Sequence, residues 1–203
     1  MNLSKIVFLI FTIFFSTLSF GADFRDLNLK IGDISLGDNL LEHLSLYDIE
    51  RGKLNTETWY SHLKEPKKFT TVRVQNHPSI NQKYRNVTFD VLEKEEKFII
   101  HGISFWELEK MSVCKRDMDK MTKELSQKFP NLEVNGPIIK KHSADTSGKS
   151  IQRNTYIRDK NGNEINIVCT DWSNEITKTK YWGDNFKFIV NTIVFSRWTN
   201  DDR

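Results

Sequence analysis

Apolar residues separated by three or four positions run through the middle of the chain. They are Met111, Cys114, Met118, Met121, Leu125 and Phe129. Charged residues occupy most positions between them, so the spacing predicts an amphipathic helix over Ser112–Pro130. Ser112 is the expected N-cap because its hydroxyl can accept a hydrogen bond from a first-turn N–H, and Pro130 cannot extend the helix. This helix must cover an apolar surface, and one of its inward residues is a cysteine.

A shorter apolar side occurs near the start of the chain. Leu36, Leu40, Leu41 and Leu44 form this side. The pattern predicts a short helix with Asp38 as its cap and Gly52 as its breaker. The loosely alternating residues 24–34 before it predict an edge strand or an extended entry.

Apolar and polar residues alternate over most of the rest of the chain, which predicts strands. The predicted strands cover residues 69–75, 86–93, 97–106, 138–144, 151–159, 163–172 and 186–198. The last is apolar on both faces, which indicates a central strand or one that is covered twice. Gly102 suggests a bulge, Asn161-Gly162 predicts a two-residue hairpin turn, and Thr177–Gly183 is expected to be a polar loop.

These elements predict an α+β fold. We expect a mostly antiparallel sheet of about six or seven strands with two helices packed on one face. The order suggests a helix-then-strands unit that occurs twice, in halves of about residues 22–110 and 111–203.

The N-terminus has the pattern of a secretory signal peptide over residues 1–21. Lys5 precedes an apolar run over Ile6–Phe15, and Ser19-Phe20-Gly21 before Ala22 fits a small-residue cleavage site. The run is shorter than the roughly 20 residues that a membrane span needs. Residues 22–203 are therefore predicted to be a single periplasmic or secreted domain without a membrane span. The alternative is an uncleaved anchor.

Export changes the interpretation of the two cysteines, Cys114 and Cys169. Disulfides form and persist in oxidising compartments. Cys169 alternates with Ile165 and Ile167 on one face of a predicted strand, and Cys114 lies on the buried stripe of the helix. Both thiols can therefore meet between the helix and the sheet, which predicts a Cys114–Cys169 disulfide. The alternative is two buried free thiols.

The composition argues against several functional classes. With 30 basic and 27 acidic residues the chain lacks the strong positive charge of a nucleic-acid binder. The five histidines are scattered, without the spacing of a zinc site. Gly148-Lys149-Ser150 lacks the glycine that a phosphate loop needs at position 143, so we expect a hairpin turn there. No catalytic residue, metal or cofactor is predicted.

Aromatic and polar residues are concentrated near two strand ends. Asp171 and Trp172 end one predicted strand, and Tyr181 and Trp182 precede the last one. Trp and Tyr combine a large contact area with a hydrogen-bonding group, which favours binding surfaces. We predict a binding patch of these four residues with His142 and Asp145. The alternative is that the aromatic rings cap the end of the sheet core.

Several segments resemble a group of small exported bacterial proteins of unknown function. These segments are KIGDISLGDNLLEHLS, SVCKRDMDKMTKEL, HSADTSGKS, VCTDWS and YWGDNFKF. The resemblance covers most of the mature chain and implies no activity. The helix-then-strands plan is also similar, in architecture only, to the beta-lactamase-inhibitor fold and to small outer-membrane assembly lipoproteins. The chain lacks the lipidated cysteine of those lipoproteins.

These features together favour a non-enzymatic periplasmic module that binds another envelope protein or envelope component. The alternatives are an enzyme or small-ligand carrier whose site forms only in three dimensions, and a purely structural envelope protein. A deep pocket lined by His or Asp with a shifted pKa would favour the enzyme or carrier.

Export predicts that residues 1–21 are removed and that the mature chain begins at Ala22. N-terminal sequencing of the protein recovered from the periplasm of an expressing bacterium is expected to read Ala-Asp-Phe. A membrane-associated chain that retains Met1 would instead indicate an uncleaved anchor.

Overall fold

The fold is built from seven strands and four α-helices. A computed structural model describes residues 33–55, 60, 63–75, 77, 80, 86–94 and 97–200. The predicted signal peptide and nearly all of the predicted extended segment at residues 24–34 lie outside them. A 3₁₀ turn at Leu40–Glu42 precedes the helices α1 (Leu46–Gly52), α2 (Met111–Lys128), α3 (Asn174–Lys180) and α4 (Ile193–Asn200). The strands are β1 (Thr70–Gln75), β2 (Asn86–Lys94), β3 (Lys97–Leu108), β4 (Glu133–Lys141), β5 (Ile151–Arg158), β6 (Glu164–Asp171) and β7 (Asn185–Asn191).

All seven strands form one antiparallel sheet in the order β1-β2-β3-β7-β6-β5-β4. The predicted α+β fold with an antiparallel sheet is therefore confirmed. The last strand, β7, lies between β3 and β6, which is the central position that was predicted. Its second face carries Lys187, however, and Ile189 is the one large apolar residue there, because Ile193 and Phe195 belong to the following helix. Both predicted halves of the chain contribute strands to this sheet, and β7 joins them.

The long helix α2 packs its predicted stripe against the sheet. Cys114 and Met118 are fully buried, and the other four stripe residues are partly buried against the same core. The predicted N-cap at Ser112 is wrong, because Ser112 lies inside the helix. The N-cap is Lys110, which makes no side-chain capping bond. The helix ends at Lys128, two residues before Pro130, as proline's missing N–H requires.

Cys114 and Cys169 form the predicted disulfide between α2 and β6, and both residues are completely buried. They belong to the main core, which also includes Ile167 of β6, Phe188 of β7 and Ile103 of β3. The helix is thus held to the centre of the sheet by a covalent bond as well as by apolar packing.

The predicted last strand over 186–198 is wrong beyond Asn191, where the chain turns into α4. The side chain of Asn163 accepts a hydrogen bond from the N–H of Ile193, at 2.9 Å, which satisfies one of the first N–H groups of that helix. Phe195 and Trp198, three positions apart, share one side of α4 and pack with Phe69 in a second apolar cluster. The apolar pattern thus changes from a strand period to a helix period at Thr192.

The predicted polar loop at Thr177–Gly183 is also wrong in its first half, which belongs to α3. Ser173 caps this helix, because its hydroxyl accepts a hydrogen bond from the N–H of Ile176. The helix ends at Lys180, and the C-cap residue Tyr181 has the left-handed conformation, with φ 57°. With α3 and α4, the described residues contain four α-helices, whereas two were predicted. The predicted arrangement of two helices on one face and the predicted repeat of a helix-then-strands unit are not confirmed.

Three smaller details differ from the prediction. The cap of the first helical turn is Asn39 and not Asp38, whose carboxylate accepts from the N–H of Ser35 instead. Strand β4 begins at Glu133, five residues earlier than expected. The hairpin between β5 and β6 has a longer turn than two residues, because Asp159 accepts hydrogen bonds from the backbone N–H groups of Asn161 and Asn163.

Removing the disulfide is expected to destabilise the protein. The Cys114→Ala/Cys169→Ala variant should lose about 4 kcal/mol of unfolding free energy, the chain-entropy value for a loop of this length. Urea denaturation followed by tryptophan fluorescence measures the loss. Reductant should destabilise the wild-type chain and leave the double variant unchanged; equal stability of the two chains under oxidising conditions would contradict the prediction.

Candidate functional site

The residues of the predicted patch, apart from Asp171, gather at one end of the sheet. Beyond the end of β4, the N–H of His142 donates to the carbonyl of Ser150, at 2.9 Å. Beyond the end of β6, the N–H of Trp172 donates to the carboxylate of Asp184, also at 2.9 Å. These two bonds hold the ends of neighbouring strands side by side and bring distant sequence positions together.

Three of the aromatic rings lie in a row. The centroids of the His142 and Trp172 rings are 4.2 Å apart, and those of Trp172 and Trp182 are 4.7 Å apart. Tyr181 follows the end of α3 and is 89 % exposed, and Trp182 is 41 % exposed. We call His142, Trp172, Tyr181 and Trp182 the aromatic surface. Its inner rings are half-buried, so the aromatic surface both covers the end of the sheet and faces solvent.

Asp145 lies beneath this surface and holds its two sides together. One carboxylate oxygen accepts from the N–H and hydroxyl of Ser147, at 2.9 and 2.7 Å. The other accepts from the N–H of Ser150, at 2.8 Å, and from the hydroxyls of Ser150 and Ser173. These hydrogen bonds favour the ionised form and hold the pKa of Asp145 well below its usual range. Asp145 therefore joins the turn after β4 to the residue that caps α3.

His142 is held in one tautomer by its own turn. Its Nδ1 accepts a hydrogen bond from the N–H of Ala144, at 3.1 Å, so in the neutral ring the proton is on Nε2. Partial burial, with a smaller contribution from Lys140, lowers the pKa of His142, although Asp145 opposes the change. The lowered pKa favours the neutral form of the imidazole, whose plane is tilted by 43° to the ring of Trp172.

Asp171 is the one predicted member that stands apart. It is exposed at the end of β6, directly opposite Ile151 of β5. The ring contacts and hydrogen bonds that join His142, Asp145, Trp172 and Trp182 do not involve the side chain of Asp171. We therefore leave Asp171 out of the aromatic surface.

A buried polar cluster that the sequence pattern did not predict lies on the sheet face opposite the main core. Thr71 donates a hydrogen bond to the buried carboxylate of Asp90. Burial raises the pKa of Asp90 and lowers that of Lys187, and the attraction between the two charges opposes both changes. Burial also raises the pKa of Tyr60, which faces the same carboxylate. The signal in the sequence was a charged residue between two apolar ones in an alternating strand, Asp90 in β2 and Lys187 in β7.

Gly102 of β3 leaves the space that the side chains of this cluster occupy. A Cβ atom there would lie 2.7 Å from the Asp90 carboxylate and 3.0 Å from the side-chain oxygen of Asn191. The bulge that Gly102 suggested is present directly beside it, because Asp90 pairs with Gly102 and Val91 with Ile100, which leaves His101 of β3 as the extra residue. The missing side chain thus makes room for a buried carboxylate on the sheet.

Three pockets among the described residues are lined by residues outside the aromatic surface. One of about 450 Å³ is lined by α1 and β1, including Asp48, Arg73 and His77. The imidazole of His77 is 3.8 Å from the carboxylate of Asp48. Across the described ranges, three or more candidate metal ligands never gather in one place. The helices within the same ranges are too short or too polar to cross a membrane.

Comparison of the chain with models of protein families, with curated proteins and with solved structures finds no match. The function of the chain therefore has to be inferred from its own residues and their geometry.

The hydrogen bonds to Asp145 predict a pH-dependent contribution to stability. Because its folded-state pKa is lowered, the contribution is complete above the unfolded pKa of about 3.9 and is lost as the pH falls towards the folded value. Asp145→Asn should lower the thermal midpoint at pH 7 and flatten its dependence on pH below about pH 5. Calorimetry between pH 7 and pH 2 checks this; a variant with the wild-type pH profile would contradict it.

Proposed function

We propose that this protein is an exported, non-enzymatic binding module that contacts another envelope protein through the aromatic surface. The observation that carries the proposal is the exposure of Tyr181 and Trp182 beside the packed rings of Trp172 and His142. Tyr and Trp are enriched at protein interfaces because each buries a large area and keeps a hydrogen-bonding group.

Contacts within the protein hold the inner part of the aromatic surface, formed by His142 and Trp172, in place. Ring contacts and the Asp184 hydrogen bond fix Trp172, and Asp145 fixes the turn that carries His142. A rigid aromatic contact loses little conformational freedom on binding, so more of its interaction energy is available as affinity.

The same hydrogen bonds argue against acid–base catalysis at this place. A general base needs a lone pair within hydrogen-bonding reach of the substrate. The Asp145 carboxylate already accepts from three serines, and Nδ1 of His142 accepts from Ala144. These groups therefore shape the surface, and we assign no reaction to them.

Export supports an envelope protein as the partner. The Cys114–Cys169 disulfide is compatible with an oxidising compartment, where a secretory signal over residues 1–21 would deliver the chain. Such a partner would meet the folded, disulfide-bonded protein in the periplasm.

The aromatic surface predicts a partner that depends on its exposed rings. Tyr181→Ala and Trp182→Ala should each weaken binding by about tenfold or more, the loss expected when an interface aromatic is truncated. A partner captured from envelope extract with the wild-type chain is identified by mass spectrometry, purified and titrated by calorimetry.

Tyr47→Ala is the matched control, because Tyr47 is 70 % exposed on α1, away from the aromatic surface. The control should bind as the wild type does. Capture of no specific partner, or equal affinity for all three variants, would contradict the proposed function.

A further inference from the structure

The edge strand β4 leaves one side of the sheet open. Within the described part of the chain β4 pairs with β5 alone, and all nine of its residues are exposed. Ile138 is 40 % and Ile139 65 % exposed, although both are apolar. An edge strand presents unpaired N–H and C=O groups, to which an extended segment of another chain can add.

The register shows which backbone groups face outwards. The N–H of His142 donates to the carbonyl of Ser150, so that pair is a hydrogen-bonded one. Hydrogen-bonded and non-hydrogen-bonded pairs alternate along an antiparallel ladder. Ile139 opposite Arg153 and Lys141 opposite Ile151 are therefore non-hydrogen-bonded pairs. Their N–H and C=O groups point away from β5, towards the open edge.

Pro137 limits the open edge to four residues. Proline has no N–H to donate, and the register with β5 shifts between Asn135 and Ile138. The regular edge is thus Ile138–Lys141, and the next residue is His142 of the aromatic surface. A strand added along this edge would end beside His142, the member of the aromatic surface whose ring contacts Trp172.

The positive charges of this edge favour an added strand that carries negative charges. Lys140 and Lys141 are both exposed, and Lys141 lies against Gly148 in the neighbouring turn. Opposite charges on directly facing residues stabilise a strand pair, and like charges destabilise it. An acidic segment with apolar residues therefore fits this edge better than a basic one.

A second copy of the chain fits less well. In one antiparallel arrangement of two copies, Ile139 of each copy pairs with Lys141 of the other, and Lys140 then faces Lys140 of the other copy. Pairing Ile139 with itself sets Lys141 against Pro137, which lacks the required N–H. Both arrangements lose an interaction that a separate acidic segment would make.

We propose that the partner presents an extended, acidic and apolar peptide segment that adds to the sheet as an eighth strand along Ile138–Lys141. One end of this segment reaches the aromatic surface. The inference rests on the proposed function, because it specifies how the partner of that same surface binds.

The test uses a phage-displayed library of random linear peptides, selected on the oxidised exported chain. Selected peptides are expected to alternate apolar and acidic residues. Ile139→Pro removes an outward N–H and keeps the bonds to β5, whereas Ile139→Ala removes only the side chain. The proline variant should bind a selected peptide about tenfold more weakly than the alanine variant does. Replacing successive peptide amides by esters should weaken binding at every second position.

The possible results separate this inference from the proposed function. Equal binding by Ile139→Pro and Ile139→Ala, with loss in Trp182→Ala, would overturn strand addition and keep the aromatic surface as the contact. The same conclusion follows if no peptide is selected but an envelope partner still depends on Trp182. A dimer of the chain that Ile139→Pro abolishes would overturn the inference in favour of a second copy. Peptide binding that depends on Ile139 but not on Trp182 would retain strand addition as the mode of binding and refute the aromatic surface.

Discussion

The pairing of β7 with β3 on one side and β6 on the other is the interaction on which the rest of the structure depends. Strands β1, β2 and β3 reach strands β4, β5 and β6 within the sheet only through this last strand. Its apolar residues serve the core, where Phe186, Phe188 and Val190 are buried between the two halves. The pairing of β7 with β6 joins consecutive strands, whereas its pairing with β3, which sets Gly102 opposite Asn191, joins residues far apart in sequence.

The position of β7 also builds the aromatic surface. Tyr181, Trp182 and Asp184 directly precede the strand, and Asp184 accepts the N–H of Trp172 at the end of β6. The pairing of β7 with β6 therefore places Asp184, and the residues just before it in the chain, next to Trp172. Asp145 and the serines around it then fix the turn on the other side of Trp172. The surface is therefore a consequence of the sheet order and of a few local hydrogen bonds.

The two faces of the sheet are stabilised differently. One face carries the main core, with α2 held to β6 by the disulfide. The other contains Asp90 and Lys187, whose burial is costly unless the charges are paired and hydrogen-bonded. Thr71 supplies a hydrogen bond and Gly102 supplies the space. These two residues show how the sheet accommodates a buried charge that its alternating pattern alone does not explain.

Local patterns determined most of the elements and one long-range contact. The stripe from Met111 to Phe129, the alternation of the strands, and the shared facing of Cys114 and Cys169 follow from the periods of helix and strand, which depend on neighbouring residues only. The end of β7 and the presence of α3 did not follow, because Ile193–Trp198 is apolar at both spacings and residues 174–180 are too polar for a periodic signal. A hydrogen bond that the N–H of Ile193 donates to the side chain of Asn163, thirty residues earlier, decides the end of β7, and the cap at Ser173 decides the start of α3. Only the tertiary structure could show that β3 and β6 flank β7, leave β4 at an open edge and bring His142 against Trp172, because strand order depends on contacts between residues far apart in the chain.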